Sequence, residues 1–304
     1  MKLEGVINVN KPADWTSQDV CAKLRGRLHI KRIGHTGTLD PMATGVLPVC
    51  IGNATKIIEY YDKDSKVYHA AMKLGVETDT LDITGEVLKE ADFTGVSEDD
   101  IREAFAEYTG DISQIPPKYS AIRIDGQRAY DLARQGKAVD IKPRNIKIYS
   151  NKITRIDLEE GIIEYDVECS KGTYIRTMCD DIGHALGCGA TMTSLERRAS
   201  GMFKIKDAVK LEDLIEMNDD EIAALVIPAD KTIDKTGRVI IADEKYIFAT
   251  HGNLILHKDL NVVQQTAFDD AYRMYCCGEF IGIGQINKKL KGNLQPRKIC
   301  VETD

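Results

Sequence analysis

The chain opens on an apolar run, Gly5-Val6-Ile7-Asn8-Val9, followed by the turn pair Lys11-Pro12, which predicts a short first strand. Ser17 stands where a helix cap belongs. Val20, Leu24 and Leu28 then recur at i, i+4 and i+8, so the following helix buries one face and carries Lys23, Arg27 and Lys31 as a basic stripe beside it. Residues 67–74 read as a strand with Tyr68, Ala70, Met72 and Leu74 on one face. Ser97 caps a helix bearing Ile101, Ala104, Phe105 and Tyr108. Between 163 and 169 apolar and acidic residues alternate without exception, the pattern of a half-buried strand. Extended structure resuming after Lys171-Gly172 would put Tyr174 and Arg176 on one side of a sheet, ahead of a helix capped within 177–180 that buries Ile182 and Leu186.

Residues 212–225 read as one helix, and Ile227-Pro228 marks a boundary after it. Short apolar runs follow at 239–241, 254–256, 273–275, 280–283 and 299–301, separated by Gly, Asn and Asp. This change of period predicts two domains, 1–228 and 229–304, the second a small β-barrel.

A length of 304 residues and 43% apolar content suffice for a core in each part, and 29% charge with 8 Pro and 24 Gly excludes disordered and fibrous classes. No membrane-length apolar stretch and no secretory leader is visible, so a cytoplasmic location with no membrane partner is expected. The eight cysteines form no C-x-x-C pair and no Cys/His quartet at zinc spacing, so reduced and mostly buried thiols are expected. A net charge of −7 argues mildly against nucleic acid, but the charge is uneven. Eight cations between Lys118 and Lys147 face only Asp125, Asp131 and Asp140. Lys23, Arg25, Arg27, Lys31 and Arg32 form a second basic run, with His29 and His35 interleaved. Both runs are candidate phosphate-contacting surfaces.

The densest chemical signal is Gly34-His35-Thr36-Gly37-Thr38-Leu39-Asp40-Pro41-Met42-Ala43-Thr44-Gly45-Val46-Leu47-Pro48-Val49, which reads as a tightly specified loop around one Asp and one His. It is not a phosphate-binding P-loop, and Gly187-Cys188-Gly189 lacks the third glycine of a dinucleotide fingerprint, so no nucleotide cofactor and no metal is implied. On residue type alone Asp40 is a nucleophile, a general base, or an Asp before Pro that bonds its own turn.

This segment, with Gly52-Asn53-Ala54-Thr55-Lys56 after it, closely resembles the catalytic motif of the bacterial tRNA pseudouridine-55 synthases, the TruB family. The likeness runs over most of the first 200 residues. Lys11-Pro12 with Thr16-Ser17, Lys66-Val67-Tyr68, Leu74-Gly75 with Thr78-Asp79-Thr80 and Asp82, Gln114-Ile115-Pro116-Pro117-Lys118-Tyr119-Ser120-Ala121, and Cys169-Ser170-Lys171-Gly172-Thr173-Tyr174-Ile175-Arg176-Thr177 are similar to further family blocks in the same order. One departure is Asp14, where the family usually has Gly; Asp tolerates left-handed geometry.

The resemblance implies an α+β catalytic domain with a mixed, largely antiparallel central sheet flanked by helices, and a PUA-like C-terminal barrel that binds RNA. It implies isomerisation of uridine 55 in the T-loop of tRNA to pseudouridine, without cofactor; the sequence itself gives no hint of an oligomer or a protein partner, so a monomer is expected. Asp40 would act as nucleophile or as the base that starts elimination across the sugar. Arg176 would pair with it, Tyr68 would stack on the base and relay the C5 proton, and Tyr174 and Leu195 would line the uracil pocket. His35 would fill the gap left by the extruded base, and Lys11, Arg123 and Arg128 would touch phosphates. Three rivals stand beside this reading: a nucleoside hydrolase using Asp40 and Asp82 as a carboxylate pair, a tRNA-binding module without catalysis, and a guide-dependent synthase of the same fold.

The charge distribution generates a first prediction. Replacing Arg123, Arg128 and Arg134 together with Gln should reduce the slope of log K against log salt for tRNA by roughly two to three. A slope unchanged in a filter-binding or fluorescence titration would remove the 118–147 segment from the RNA surface.

Overall fold

In the computed structural model, which describes residues 3–63, 65–120, 122–124, 127–128, 141–267 and 270–302, two sheets carry the chain. It runs β1 (Gly5–Lys11), α1 (Ser17–Leu28), β2 (Ile33–His35), β3 (Thr44–Ile51), β4 (Lys66–Leu74), a hairpin of β5 (Val76–Thr78) and β6 (Val87–Glu90), and α2 (Glu98–Glu107). Next come β7 (Gly110–Gln114), the short pair β8 (Arg123–Ile124) and β9 (Gln127–Arg128), the long hairpin β10 (Arg144–Asp157) and β11 (Ile162–Cys169), α3 (Ile175–Ala185) and β12 (Ala190–Ser200). β13 (Phe203–Lys204), β14 (Val209–Lys210), α4 (Leu211–Glu216) and α5 (Asp219–Leu225) precede the second sheet. That sheet holds β15 (Gly237–Ile241), followed by α6 (Tyr246–Thr250), then β16 (Leu260–Gln264), β17 (Ala271–Cys276), β18 (Glu279–Ile286) and β19 (Leu294–Ile299).

The large sheet has the order β14-β1-β3-β12-β4-β11-β10-β7, with β2 added to β3 and β13 to β12. Its pairings are antiparallel except for β1 with β14 and β3 with β12, so the expected mixed, largely antiparallel sheet is present. The alternation of β11 places Ile163, Tyr165, Val167 and Cys169 inward, where they meet Ala70, Met72 and Leu74 of β4 and Met178, Cys179 and Ile182 of α3. On the other side of the chain's start, Val20, Cys21 and Leu24 of α1 pack on Ile7, Val9, Leu47 and Val49. A third cluster joins Val6, Cys50, Ile57, Tyr61 and Phe203 to Ile233, Ala271, Ile283 and Cys300, so the C-terminal sheet shares apolar core with the large one. No helix among the described residues is long and apolar enough to cross a membrane.

Five local expectations are corrected. Thr16, not Ser17, caps α1: its hydroxyl accepts Asp19 N–H at 3.0 Å and Asp19 answers to Thr16 N–H, a complete capping box. The motif is loop only from Thr36 to Ala43; Gly34 and His35 belong to β2, and Thr44–Ile51 is a strand because strands flank it on both sides and nearly every side chain is buried. Arg176 sits in the first turn of α3 rather than on a strand end, since the helix begins at Ile175. The 212–225 helix is two, because Asn218 accepts from Asp220 and Glu221 N–H and starts a new capping box. In the C-terminal part, 254–256 contributes only a bridge from Ile255 to Leu294, and the sheet takes 260–264 instead. Asp14, in contrast, adopts the left-handed conformation anticipated for it, with φ 63°.

β12 crosses the site-bearing end of β3 so closely that Gly45 is obligatory: at φ 100°, an added Cβ would stand 2.4 Å from the Arg197 carbonyl oxygen. Gly45→Ala should therefore lose roughly 2 kcal/mol or more of stability with the urea m-value unchanged. An unfolding midpoint equal to the parent chain's would refute this close approach.

Candidate active site

The loop between β2 and β3 has few apolar residues to fix it, so its position depends on polar clamps from elsewhere in the chain. Ser17, displaced from capping, donates to the Leu39 carbonyl and accepts Leu39 N–H at 2.8 Å. Asp14 N–H bonds the Pro41 carbonyl at 2.9 Å, and Lys11 Nζ bonds the same carbonyl at 3.0 Å. From β12, Arg197 donates to the Gly37 carbonyl at 3.0 Å and to Val46 at 2.7 Å. Asp40 is thus held by backbone bonds on both sides of it. Its own carbonyl closes the turn through Ala43 N–H.

The Asp40 side chain faces a pocket of about 310 Å3, a size suited to a small organic group. Asp40 is the one acid among the residues that line it; Lys66, Lys171, Arg176 and Arg197 are the cations, and Tyr68, Tyr119 and Tyr174 the aromatics. Arg176, 6% exposed, approaches Asp40 Oδ1 at 3.5 Å and Asp82 Oδ2 at 3.6 Å. Its guanidinium also donates to the Tyr119 carbonyl at 2.6 Å and, at 3.4 Å, to the Thr80 carbonyl. Asp82 lies behind the pocket wall: Thr80 Oγ1, Thr84 N–H and Thr84 Oγ1 all bond its Oδ1.

Asp40 keeps 32% of its side chain accessible and is otherwise covered by protein at the wall of this partly open pocket. Desolvation therefore raises its pKa; Arg176 opposes the rise and Asp82 adds to it. Burial likewise raises the Tyr68 phenol, which is hydrogen-bonded to Arg197, so it stays protonated at neutral pH. Tyr174 is raised by burial as well.

Of the residues singled out in the sequence, Asp40, Tyr68, Tyr174, Arg176 and Leu195 converge on this pocket. Gln114 fixes Tyr174 by bonding both its backbone N–H, at 2.8 Å, and its carbonyl, at 3.0 Å. His35 ends β2, one residue ahead of the pocket wall; burial lowers its pKa and Arg197 lowers it further, which favours the neutral ring.

Lys11 is placed otherwise than expected. It is fully buried and its three N–H bonds go to the carbonyls of Pro12, Trp15 and Pro41, which leaves no donor for a phosphate. Burial brings its pKa down to about 8, with Asp14 and Asp40 resisting. The basic run after it is also partly spent inside the molecule. Arg27 bonds the Ile215 and Met217 carbonyls and Asp219, Arg25 the Ile33 carbonyl, and Arg32 Asn53. Arg134 and Lys137 lie outside the described residues, as do the side chains of Arg123 and Arg128.

Sequence reading missed Arg197, 1% exposed and among the largest fully buried side chains. Its register opposite both Tyr68 and Gly45 places it between the pocket and the loop. Nothing in the run Leu195-Glu196-Arg197-Arg198 marks which arginine turns inward; alternation on β12 decides it.

Comparison with known proteins identifies the family. Residues 25–175 match the family described as TruB family pseudouridylate synthase (N terminal domain), and 176–234 match the tRNA pseudouridylate synthase B C-terminal domain. The tRNA pseudouridine synthase B of Clostridium tetani is 44% identical over 287 residues, 94% of this chain and 97% of that protein. Its namesake in Clostridium kluyveri is 42% identical over 93% of this chain and 95% of its own length. A crystal structure of a Cbf5-Nop10-Gar1 complex superimposes with TM-score 0.75 at 26% identity, covering 98% of this chain and 85% of that one. With relatives so similar along nearly its whole length, the chain belongs to the TruB family of pseudouridylate synthases.

Proposed function

We propose that this chain isomerises uridine 55 in the T-loop of tRNA to pseudouridine, acting alone, without cofactor, in the cytoplasm. The observation that carries the reading is a single ionisable carboxylate, Asp40, in a pocket otherwise walled by tyrosines and cations. Family membership makes tRNA the substrate class; position 55, the T-arm as docking element and the monomeric state belong to the proposal.

The reaction breaks the N1–C1′ bond of uridine, turns the uracil, and forms C5–C1′, with the C5 proton lost and N1 gaining one; nothing is oxidised or added. Asp40 acts on the sugar, as nucleophile or as eliminating base. Arg176 keeps enough of it ionised against desolvation. Tyr68 stacks on the base, a contact worth about 1–3 kcal/mol, and its hydroxyl, anchored by Arg197, relays the C5 proton. Tyr174 and Leu195 line the uracil site. The target base must leave the T-loop stack, at a cost of a few kcal/mol, and a neutral His35 beside the pocket rim takes its place. Residues 1–228 perform the chemistry, and 229–304, a PUA-like unit, add RNA contacts.

The paired-carboxylate hydrolase fits less well. Asp82 does not line the pocket and its Oδ1 is saturated by threonine donors, so it offers no base to a water there.

Unmodified tRNA incubated with the purified chain alone should gain one carbodiimide-reactive site in the T-loop, read by primer extension. No T-loop stop, or free uracil in the supernatant, would defeat the proposal. Asp40→Asn should bind the same tRNA within about threefold and lose turnover by roughly a thousandfold or more.

The raised pKa of Asp40 sets the pH dependence. Its carboxylate is the active form, so kcat/KM should fall with decreasing pH through a limb above the ordinary carboxylate range. Arg176→Gln removes the attraction that lowers that pKa and should shift the limb upward; a limb that stays in place would refute the pairing.

A further inference from the structure

Cys276 ends β17 and Cys277 opens the two-residue turn into β18, far along the chain from the Asp40 loop. Cys277 and Gly278 both have positive φ, 52° and 79°, the geometry of the tight hairpin turn whose first central position ordinarily takes Asn, Asp or Gly. A cysteine here is an unusual occupant held in a sparsely populated conformation, the sort of outlier that accompanies a site. The turn is docked on Asp243, at the start of the segment after β15: Asp243 Oδ1 accepts Cys277 N–H at 2.9 Å. A ligand atom from each of Asp243, Cys276 and Cys277 lies within 4.8 Å of the other two.

Tetrahedral zinc with metal–sulfur bonds of 2.3 Å needs sulfur atoms about 3.8 Å apart, so small side-chain rotations would close this group on an ion. Two thiols and one carboxylate make a soft donor set suited to zinc-class ions rather than to magnesium or calcium. Of the eight free cysteines only Cys277 is exposed, which gives an ion a way in, while Cys276 is buried beneath it.

We propose that Cys276 Sγ, Cys277 Sγ and an Asp243 carboxylate oxygen bind one divalent ion of the zinc class, with the fourth position left to water. Two thiol protons pass to solvent as two metal–sulfur bonds form, and no oxidation state changes. The third ligand lies 33 residues upstream of Cys276, which is why no metal spacing is visible in the sequence. The ion would pin the β17–β18 turn to the segment between β15 and α6.

Burial, and then the adjoining Cys277, push the Cys276 thiol up to about 12. The other titratable groups facing the thiols are Asp243, Tyr246 of α6 and Glu279 of β18, the last two hydrogen-bonded to each other at 2.7 Å. Because binding displaces two thiol protons, affinity should rise with pH.

The test is a cadmium titration of the full-length chain, reduced and chelator-stripped, following thiolate-to-metal absorption in the ultraviolet, with zinc as competitor. One equivalent should bind, more tightly at pH 8 than at pH 6. Asp243→Asn should weaken it by roughly tenfold, and Cys277→Asn, which suits the same turn, by roughly a hundredfold. Zinc should raise the thermal midpoint of the parent chain and leave that of Cys277→Asn unchanged, with the metal-free midpoints of the two alike. Absence of the absorption band, or a Cys277→Asn chain that binds as the parent does, would overturn the site.

Discussion

A guanidinium almost closed off from water must find compensating negative atoms or destabilise the fold, and Arg176 is the point where that requirement meets the chemistry. Its neighbours are unequal. Asp82 is fastened by three threonine donors, and the carbonyls of Tyr119 and Thr80 are fixed backbone. Asp40 approaches at 3.5 Å, accepts no other side-chain bond among the described residues, and still opens to the pocket. The cation therefore holds one carboxylate as structure and the other as a group with charge to spare for substrate. Were the two carboxylates equally saturated, the pocket would contain a neutralised pair and no reactive oxygen.

Holding a loop at the atomic level while leaving its side chain free needs clamps on the main chain. Here they come from three buried donors that hydrophobic patterning cannot reveal: the Lys11 ammonium, the Ser17 hydroxyl and the Arg197 guanidinium. Each donates to a carbonyl within three residues of Asp40, and the two charged ones reinforce their bonds by charge assistance. Lys11 and Arg197 also contribute to the field at Asp40's pocket, Lys11 directly by lowering the Asp40 pKa and Arg197 by lowering that of Tyr68. Loop position and site electrostatics are in this way set by the same side chains.

How much of this the sequence disclosed follows from the physical range of each signal. Strand β11 and helix α2 were legible because alternation and a capping box act over a few residues, and both stand where the pattern put them. Pocket members Asp40, Tyr68, Tyr174, Arg176 and Leu195 were named through the family resemblance; their convergence could not be read from spacing, since they span 40 to 195. The errors share one cause. Lys11 and Arg27 carry charges that composition assigns to a surface, yet folding supplied each with carbonyl acceptors distant in sequence, Pro41 for Lys11 and Ile215 and Met217 for Arg27. Ser17 looked like a cap because a cap is a local role, whereas its partner Leu39 is 22 residues away. Arg197 was hidden for the converse reason: which of two adjacent arginines points inward depends on strand register with β3 and β4.

These reassignments also change where an acidic chain can meet a polyanion. With a net charge of −7, binding must rely on a local excess of cations rather than on the overall field. Arg25 and Arg27 are half-buried and bond protein acceptors, so the first basic run keeps Lys23, Lys31 and Arg32 as its exposed cations, Arg32 with one bond to Asn53. In the second run Lys118, Lys142, Arg144 and Lys147 are all exposed, and Lys118 is the residue before Tyr119, whose carbonyl holds Arg176. The backbone that holds Arg176 against Asp40 is therefore continuous with an exposed cation, Lys118. A ligand contact at Lys118 would bear on the pocket through one peptide link, because the Tyr119 carbonyl holds the guanidinium that faces Asp40.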